Sequence, residues 1–412
     1  MQVVERHLIR TDNPCFSALD QAAFASKNLY NQANYQIRQA FIHEGIYLPY
    51  AAIFHRLKQH DAYCALPRKV SNSILLQLHK NWLSFFEAMK AYRQDPTPFT
   101  GRPKLPGYKD KEKGRFLLIY DKQALGKRAF KKTGKLVPSG LPIAIATRIT
   151  DWEKIAQVRI VPRLDGYMAE VVYEQQEQQA DVDHHLVAAL DLGVNILAAL
   201  TSNKSGFAPR LISGKPLKSV NQYYNKQRAQ HQGRLSHENR FSSRQLDRVT
   251  TKRNRRVDSY LHTASRRIID LLVSERIGTL VIGKNPRWKQ EANMGRKNNQ
   301  QFVYIPHARF IDQLTYKARL VGIKIIIQEE SYTSKASFLD GDPIPTYQAS
   351  TSEKPVFSGQ RIARSWYRAK DGTILHADIN GSWNILRKSS SDPLQVGRGV
   401  EGAAVLPRRL AV

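Results

Sequence analysis

Alternating apolar and polar positions in "MQVVERHLI" predict a strand at the N-terminus, and "DNPCFSALD" after it carries the chemistry of a turn and a helix cap. Residues 16–95 switch to helical periodicity rich in aromatics, as in "ILLQLHKNWLSFFEAMKAY" (74–92). The Pro/Gly/Lys-rich stretch "RQDPTPFTGRPKLPGYKDKEKGR" (93–115) reads as a boundary loop. Strand-like runs then return in "RFLLIYD", "LPIAIATRI", "IAQVRIVPRL" and "YMAEVVYEQQ". The pattern predicts an all-β module formed by residues 1–14 and 96–180, interrupted by a helical insertion over 15–95, with a polar linker "EQQEQQADVDHH" behind it.

From residue 186 the period changes again. "LVAALDLGVNILAALTS" reads as a hairpin, and a long basic helical region turns amphipathic with Leu261, Ala264, Ile268 and Leu271 at helical spacing. "GTLVIG" (278–283) and "IKIIIQEE" (323–330) are unbroken apolar runs of buried-strand type, separated by the helix "ARFIDQLTYKARLVG" with a glycine at its end. Strands alternating with helices predict an α/β domain with a mixed sheet over 186–388. The tail, 389–412, lacks apolar periodicity and is expected to be disordered.

A chain of 412 residues is too long for one compact core. Lys+Arg 64 against Asp+Glu 35 gives a net charge of +29, and such an excess calls for a polyanionic partner, nucleic acid above all. The basic helical region supplies candidate contacts in Lys226, Arg228, Arg244, Arg248, Lys252, Arg253, Arg255 and Arg256. With only Cys15 and Cys64 the chain has neither a disulfide framework nor a cysteine zinc cluster. No apolar stretch approaches the ~20 residues that span a bilayer, and the N-terminus has no signal-peptide core. A soluble cytoplasmic protein without a membrane partner is expected.

Acidic residues stand where apolar strands end. Asp191 follows "LVAAL", Glu329 and Glu330 close "IKIII", and Asp378 lies in "LHADINGSWNILRK" where a strand gives way to a helix. Each alone is a turn or cap carboxylate. Three such sites in one basic domain would repel one another unless a cation neutralised them, and hard ions such as Mg²⁺ or Mn²⁺ choose carboxylate oxygens. Two such ions on a phosphodiester are the machinery of nucleic-acid hydrolysis.

The segments "ALDLGVNILAALTS", "RVDSYLHTAS", "YKARLVGIKIIIQEESYTSKASFLDGDPIP" and "HADINGSWNILRK", with "FTGRPKLPGYK" upstream, resemble the TnpB family. These OrfB-type insertion-sequence proteins are themselves similar to type V CRISPR effectors. The resemblance implies an RNase H-like RuvC nuclease domain, a wedge β-barrel, a helical recognition domain, a guide RNA from the element's end and double-stranded DNA as target. In that mode base pairing reads the target, while the protein reads a short adjacent motif. It also implies Asp191 and Asp378 as metal-binding catalytic residues; Glu329 and Glu330, at the end of a neighbouring strand, are the candidates for a third.

Two departures stand out. Where the family places a glutamate at the end of the strand "TLVIGKN", this chain has Gly283 and Lys284, so the nuclease is either dead or takes its third carboxylate from Glu329 or Glu330. The dead form would be a guided DNA-binding repressor. The family's four-cysteine zinc ribbon is also missing. Over 336–375 a zinc-free hairpin packed by Phe338, Trp366 and Tyr367 is expected in its place, with Asp340 and Asp342 in a turn. "ALDLGVNILAAL" further resembles the first phosphate loop of actin/Hsp70-type ATPases, but no second Asp-Gly loop accompanies it.

Overall fold

The computed structural model describes residues 1–285, 303–346, 355–390 and 407–412. They form two compact units, Met1–Gln175 and Gln176–Val412.

The first unit runs β1 (Gln2–Arg10), α1 (Phe16–Gln39), α2 (Tyr50–Leu57), α3 (Asp61–Cys64), α4 (Arg68–Gln94), β2 (Leu118–Asp121), α5 (Lys127–Thr133), β3 (Lys135–Leu136), β4 (Ile145–Ala146), β5 (Ile155–Arg163) and β6 (Gly166–Glu174). The N-terminal strand joins a four-stranded sheet ordered β1-β6-β5-β2, with β6 antiparallel to both neighbours. Beside it β3 and β4 make a separate two-stranded ribbon. The boundary loop is more than a connector. Lys27, Tyr30, Asn31, Asn34 and Arg38 line one face of α1 at helical spacing, and their side chains donate to backbone carbonyls of Pro106, Gly107, Lys109 and Lys111. A proline- and glycine-rich backbone without ladder partners thus finds its acceptors satisfied by a polar stripe.

The second unit contains β7 (Asp183–Leu192), β8 (Ile196–Ser202), β9 (Arg210–Ser213), α6 (Lys215–His237), α7 (Arg244–Ser274), β10 (Ile277–Gly283), α8 (His307–Leu320), β11 (Lys324–Gln328), β12 (Gln360–Ala363), β13 (Trp366–Arg368), β14 (Ile374–His376), α9 (Ala377–Ser389) and β15 (Arg408–Arg409). Its main sheet is ordered β11-β10-β7-β8-β9-β15. Only β8 runs against the others: β10 is parallel to β7 and β11, and β8 is antiparallel to β7 and β9. This mixed sheet is covered on both faces, the RNase H-like arrangement.

Strand parity decides what each face touches. Ala188, Leu190, Leu280 and Ile282 pack with α7 and α8. Ala189, Val281 and Ile326 face Ile379, Trp383 and Leu386 of α9. Asp191 and Gly283 share parity with Ala189 and Val281, so both lie on the α9 face.

Two expectations need correcting. The tail is not wholly disordered: Arg408–Arg409 pairs in parallel with β9, and Leu410 packs on the α7-side core, where the sheet edge offers unpaired backbone groups. The intervening 391–406 lie outside the described residues, as do 347–354 of the insertion. Within the insertion Trp366 is 49% exposed and its ring meets that of its cross-strand neighbour His376 edge-on at 6.1 Å, so it is not part of a buried core there. Tyr367 is buried with Leu375 and Ala377, and Phe338 stacks on Trp383 at 4.8 Å. Asp342 accepts the Ser337 and Ser358 amides, and Asp340 accepts the Ser358 hydroxyl and the Lys370 amide, so both are turn organisers.

Among the described residues no helix is long and apolar enough to cross a membrane.

Candidate active site

Asp191 is the ninth residue of the ten-residue β7, and the pairing Leu190 with Ile282 sets it level with Gly283 on the adjacent β10. Gly283 in turn pairs with Gln328 at the end of β11. Glu330 follows two residues later with the parity of Ile326 and Gln328, which is the α9 face. Glu329 has the parity of Ile325, which packs on the other face. Alternation alone therefore separates the two glutamates; no bulge is required.

Gly283 makes room for the one that turns inward. A β-carbon there would lie 2.6 Å from Glu330 Oε2 and 2.5 Å from Ile385 Cδ1, so no side chain fits while Glu330 holds its place. Gly381 on α9 does the same for Asp191, whose Oδ2 would be 2.8 Å from an added β-carbon. The Glu330 amide donates to Asn285 Oδ1 at 3.0 Å, tying the turn to the end of β10.

One helix sets the remaining geometry. His376 caps α9, its Nδ1 accepting the Asp378 amide at 3.3 Å, which puts Asp378 in the first turn. Further along α9, Asn380 donates to Ala336, while Asn384 donates to Thr333 and Ala336. Ser382 donates to the Ala189 carbonyl of β7. Thus α9 carries Asp378, lies on the strand that bears Asp191, and pins the loop that follows Glu330. Sequence reading passed over these polar residues; the available signal was asparagines at i and i+4 directly following the apolar pair Ile379 and Trp383 at the same spacing.

The electrostatics are those of carboxylates crowded without enough counter-charge. Burial, then Asp378 and Glu330, push the Asp191 carboxyl well above the usual range, with Arg361 opposing. Burial and then Glu329 push Glu330 up to about 7. Burial also raises Asp378, against the pull of His376, Arg361 and Arg364. Glu329 goes the other way: burial would raise it, but Lys388 and Ser331 hold it below its ordinary value. Lys388 pairs directly with Glu329 and also donates to the Ser331 and Pro345 carbonyls at 3.3 Å.

Arg361 is a residue that motif reading missed. It sits on β12, its Nε bonded to the Arg364 carbonyl at 3.0 Å and its guanidinium 3.6 Å from Asp378. As the side chains stand, no group of three His, Cys, Asp or Glu close enough to hold an ion occurs among the described residues. Arg361 takes up part of the charge of Asp378.

The basic residues divide. Lys226, Arg244, Arg248, Lys252 and Arg256 are exposed on α6 and α7, and the last four recur every fourth residue as one stripe. Arg228, half-buried, reaches Tyr304 Oη at 3.4 Å, and Arg255 is also half-buried. Arg253 is internal in role: it bonds Asn221 and the Tyr304 carbonyl and lies over the Tyr224 and Tyr304 rings. Charge removal separates these roles. Arg244→Gln/Arg248→Gln/Arg256→Gln is expected to flatten the slope of log affinity for duplex DNA against log salt by about two to three units. Arg253→Gln is expected to lower the melting temperature instead; an unchanged slope in the triple variant would show the stripe to be a solvated face.

Comparison with known proteins agrees with this architecture. The family described as a probable transposase, OrfB_IS605, matches residues 170–289, and the family "Cas12f1-like, TNB domain" matches 307–385. The TnpB-like protein ORF457 of Acidianus two-tailed virus is 23% identical, the match covering 90% of this chain and 83% of that protein. Among solved structures, a Cas12f1–sgRNA–target DNA complex superposes with a TM-score of 0.54 at 14% identity, covering 90% of this chain and 82% of the other.

Proposed function

Because the chain belongs to the TnpB family, we propose that it is an RNA-guided DNA endonuclease whose third catalytic carboxylate is Glu330. The observation that carries this reading is the Glu330 carboxylate lying over Gly283, level with Asp191, in space that any side chain at 283 would fill. A buried strand end gains nothing from an unpaired carboxylate there.

The donor set fits a hard divalent cation: three carboxylates, all raised by burial, with Asp191 raised further by the charges of Asp378 and Glu330. Asp191, Glu330 and Asp378 would hold Mg²⁺ or Mn²⁺, which when bound supplies charge neutralisation and activation of water at a phosphodiester. Without it, burial favours the neutral forms of Asp191 and Glu330, and Arg361 pairs with Asp378 at 3.6 Å. Arg361 would give up its pairing with Asp378 to such a cation, and a phosphate oxygen is a partner its guanidinium suits. Glu329 stays with Lys388 and anchors the turn. Target DNA lies along the basic stripe, held by phosphate contacts that carry no sequence information, and base pairing with the guide RNA selects it.

The test uses protein purified with its own RNA. That RNA is sequenced, and a plasmid bearing the matching target is supplied with and without Mg²⁺. Linear product only with Mg²⁺ and only on the matching plasmid is expected. Guided binding with no cut under Mg²⁺ or Mn²⁺ would make the protein a nuclease-dead repressor.

A further inference from the structure

The antiparallel helices α6 and α7 form an arm whose tip carries an unexplained aromatic residue. Across the turn, Asn239 takes a left-handed backbone at φ 50°, the Arg240 amide closes on the Leu235 carbonyl at 2.9 Å, and Ser243 caps α7 through the Leu246 amide at 3.2 Å. Leu235 and Leu246 are buried beneath it. The tip is therefore a built turn closed by its own hydrogen bonds, and Phe241 stands 93% exposed on it. A single exposed aromatic is unremarkable on a protein surface; its setting here is specific.

That setting has two parts. The α7 stripe of Arg244, Arg248, Lys252 and Arg256 begins three residues beyond Phe241, its cations about 6 Å apart at four residues per step. The arm also points in one direction. Tyr260 of α7 donates to the carbonyl of Ser213, the last residue of β9. Since β9 runs parallel to β7, Ser213 marks the same sheet edge as Asp191. Arg244 lies sixteen residues before Tyr260, about 24 Å along the helix, and α7 leads into the start of β10 at the opposite end of the sheet, so the tip lies on the Asp191 side.

We propose that Phe241 is a stacking platform for a nucleobase of the unpaired DNA strand that the α7 stripe conducts toward Asp191, Glu330 and Asp378. A ring beside a run of cations recognises single-stranded nucleic acid by its two repeating features, a π-face and a phosphate. DNA is the polymer assigned because the arm projects from the edge where the cleaved strand must enter; this rests on the nuclease reading above.

The full-length protein is mixed with single-stranded oligodeoxynucleotides carrying 5-iododeoxyuridine at successive positions, and with 5-iodouridine RNA of the same sequence. Near-ultraviolet crosslinking is followed by peptide mapping. Expected is a DNA adduct on the peptide containing Phe241, absent in Phe241→Leu and kept in Phe241→Trp. DNA affinity should fall roughly five- to 150-fold in Phe241→Leu and be retained in Phe241→Trp, the range that loss of one stacked base produces. Thermal melts of both variants should match wild type because the side chain is exposed. Salt-dependent DNA binding with no Phe241 adduct, unchanged affinity in Phe241→Leu, or adducts confined to RNA would each overturn the assignment. The nuclease reading fails separately: a protein that crosslinks at Phe241 but never cuts retains the platform and loses the enzyme.

Discussion

Glu330→Gln is expected to abolish guided cleavage, with a loss of at least ~10²–10³-fold, the scale set by removing one preorganised charge from a transition state. Binding of target DNA should persist, because the phosphate contacts proposed for the α7 stripe would do the positioning. The exchange is almost isosteric, so the carboxylate's charge is the only thing removed. Glu329→Gln should cut within a few fold of wild type, since Glu329 is held by Lys388 and shares its strand parity with the opposite face. Asp191→Ala supplies the reference for a dead site. Gly283→Ala should also impair cleavage, as its methyl would come within 2.6 Å of Glu330 Oε2. Cleavage kinetics on one target settle all four. Normal activity in Glu330→Gln, or a dead Glu329→Gln, reverses the assignment.

The second large effect is on stability. Glu330 has its pKa raised from 4.5 to about 7 by burial and by Glu329. For a carboxyl raised on folding, the native state binds the extra proton, so stability is greatest below the unfolded pKa and falls as pH climbs through the folded one. Between pH 4.5 and pH 7 the metal-free protein should lose on the order of 3 kcal/mol from this group alone. Above pH 7 Mg²⁺ should restore it by binding only the folded carboxylate set. Glu330→Gln, lacking the charge, should melt higher than metal-free wild type at pH 8 by several degrees and respond less to Mg²⁺. Differential scanning calorimetry at pH 5 and pH 8 with EDTA or Mg²⁺ reads both. A melting temperature that rises with pH in EDTA, or a Glu330→Gln variant no more stable than wild type, would mean Glu330 is not under the strain described.

Much of this architecture follows from periodicity and composition, for identifiable reasons. The apolar runs at 186–202, 278–283 and 323–328 are long enough to be buried on both faces, which marks a sheet with helices above and below. Acids at the ends of those strands stand out against that background. What could not be read was the face. Whether Glu329 or Glu330 belongs to the site depends on which side of the sheet α9 covers, and that is fixed by Ile379, Trp383 and Leu386 meeting Ala189, Val281 and Ile326, long-range contacts with no local signature. Arg361 was hidden for a similar reason, since it reaches Asp378 from a hairpin separated in sequence. Arg253 looked like its basic neighbours because charge is visible in sequence and a tyrosine pair around it is not. The tail was misread because a two-residue strand is too short to show any period.

The central claim is that Asp191, Glu330 and Asp378 form one cation site. Crystals of the protein soaked in Mn²⁺ and measured at the manganese edge test it directly. Anomalous density bonded to Asp191 and Glu330, with Asp378 released from Arg361, is the predicted result. Manganese bound to Glu329 instead, or no peak among these carboxylates in a preparation that cuts DNA, would contradict it.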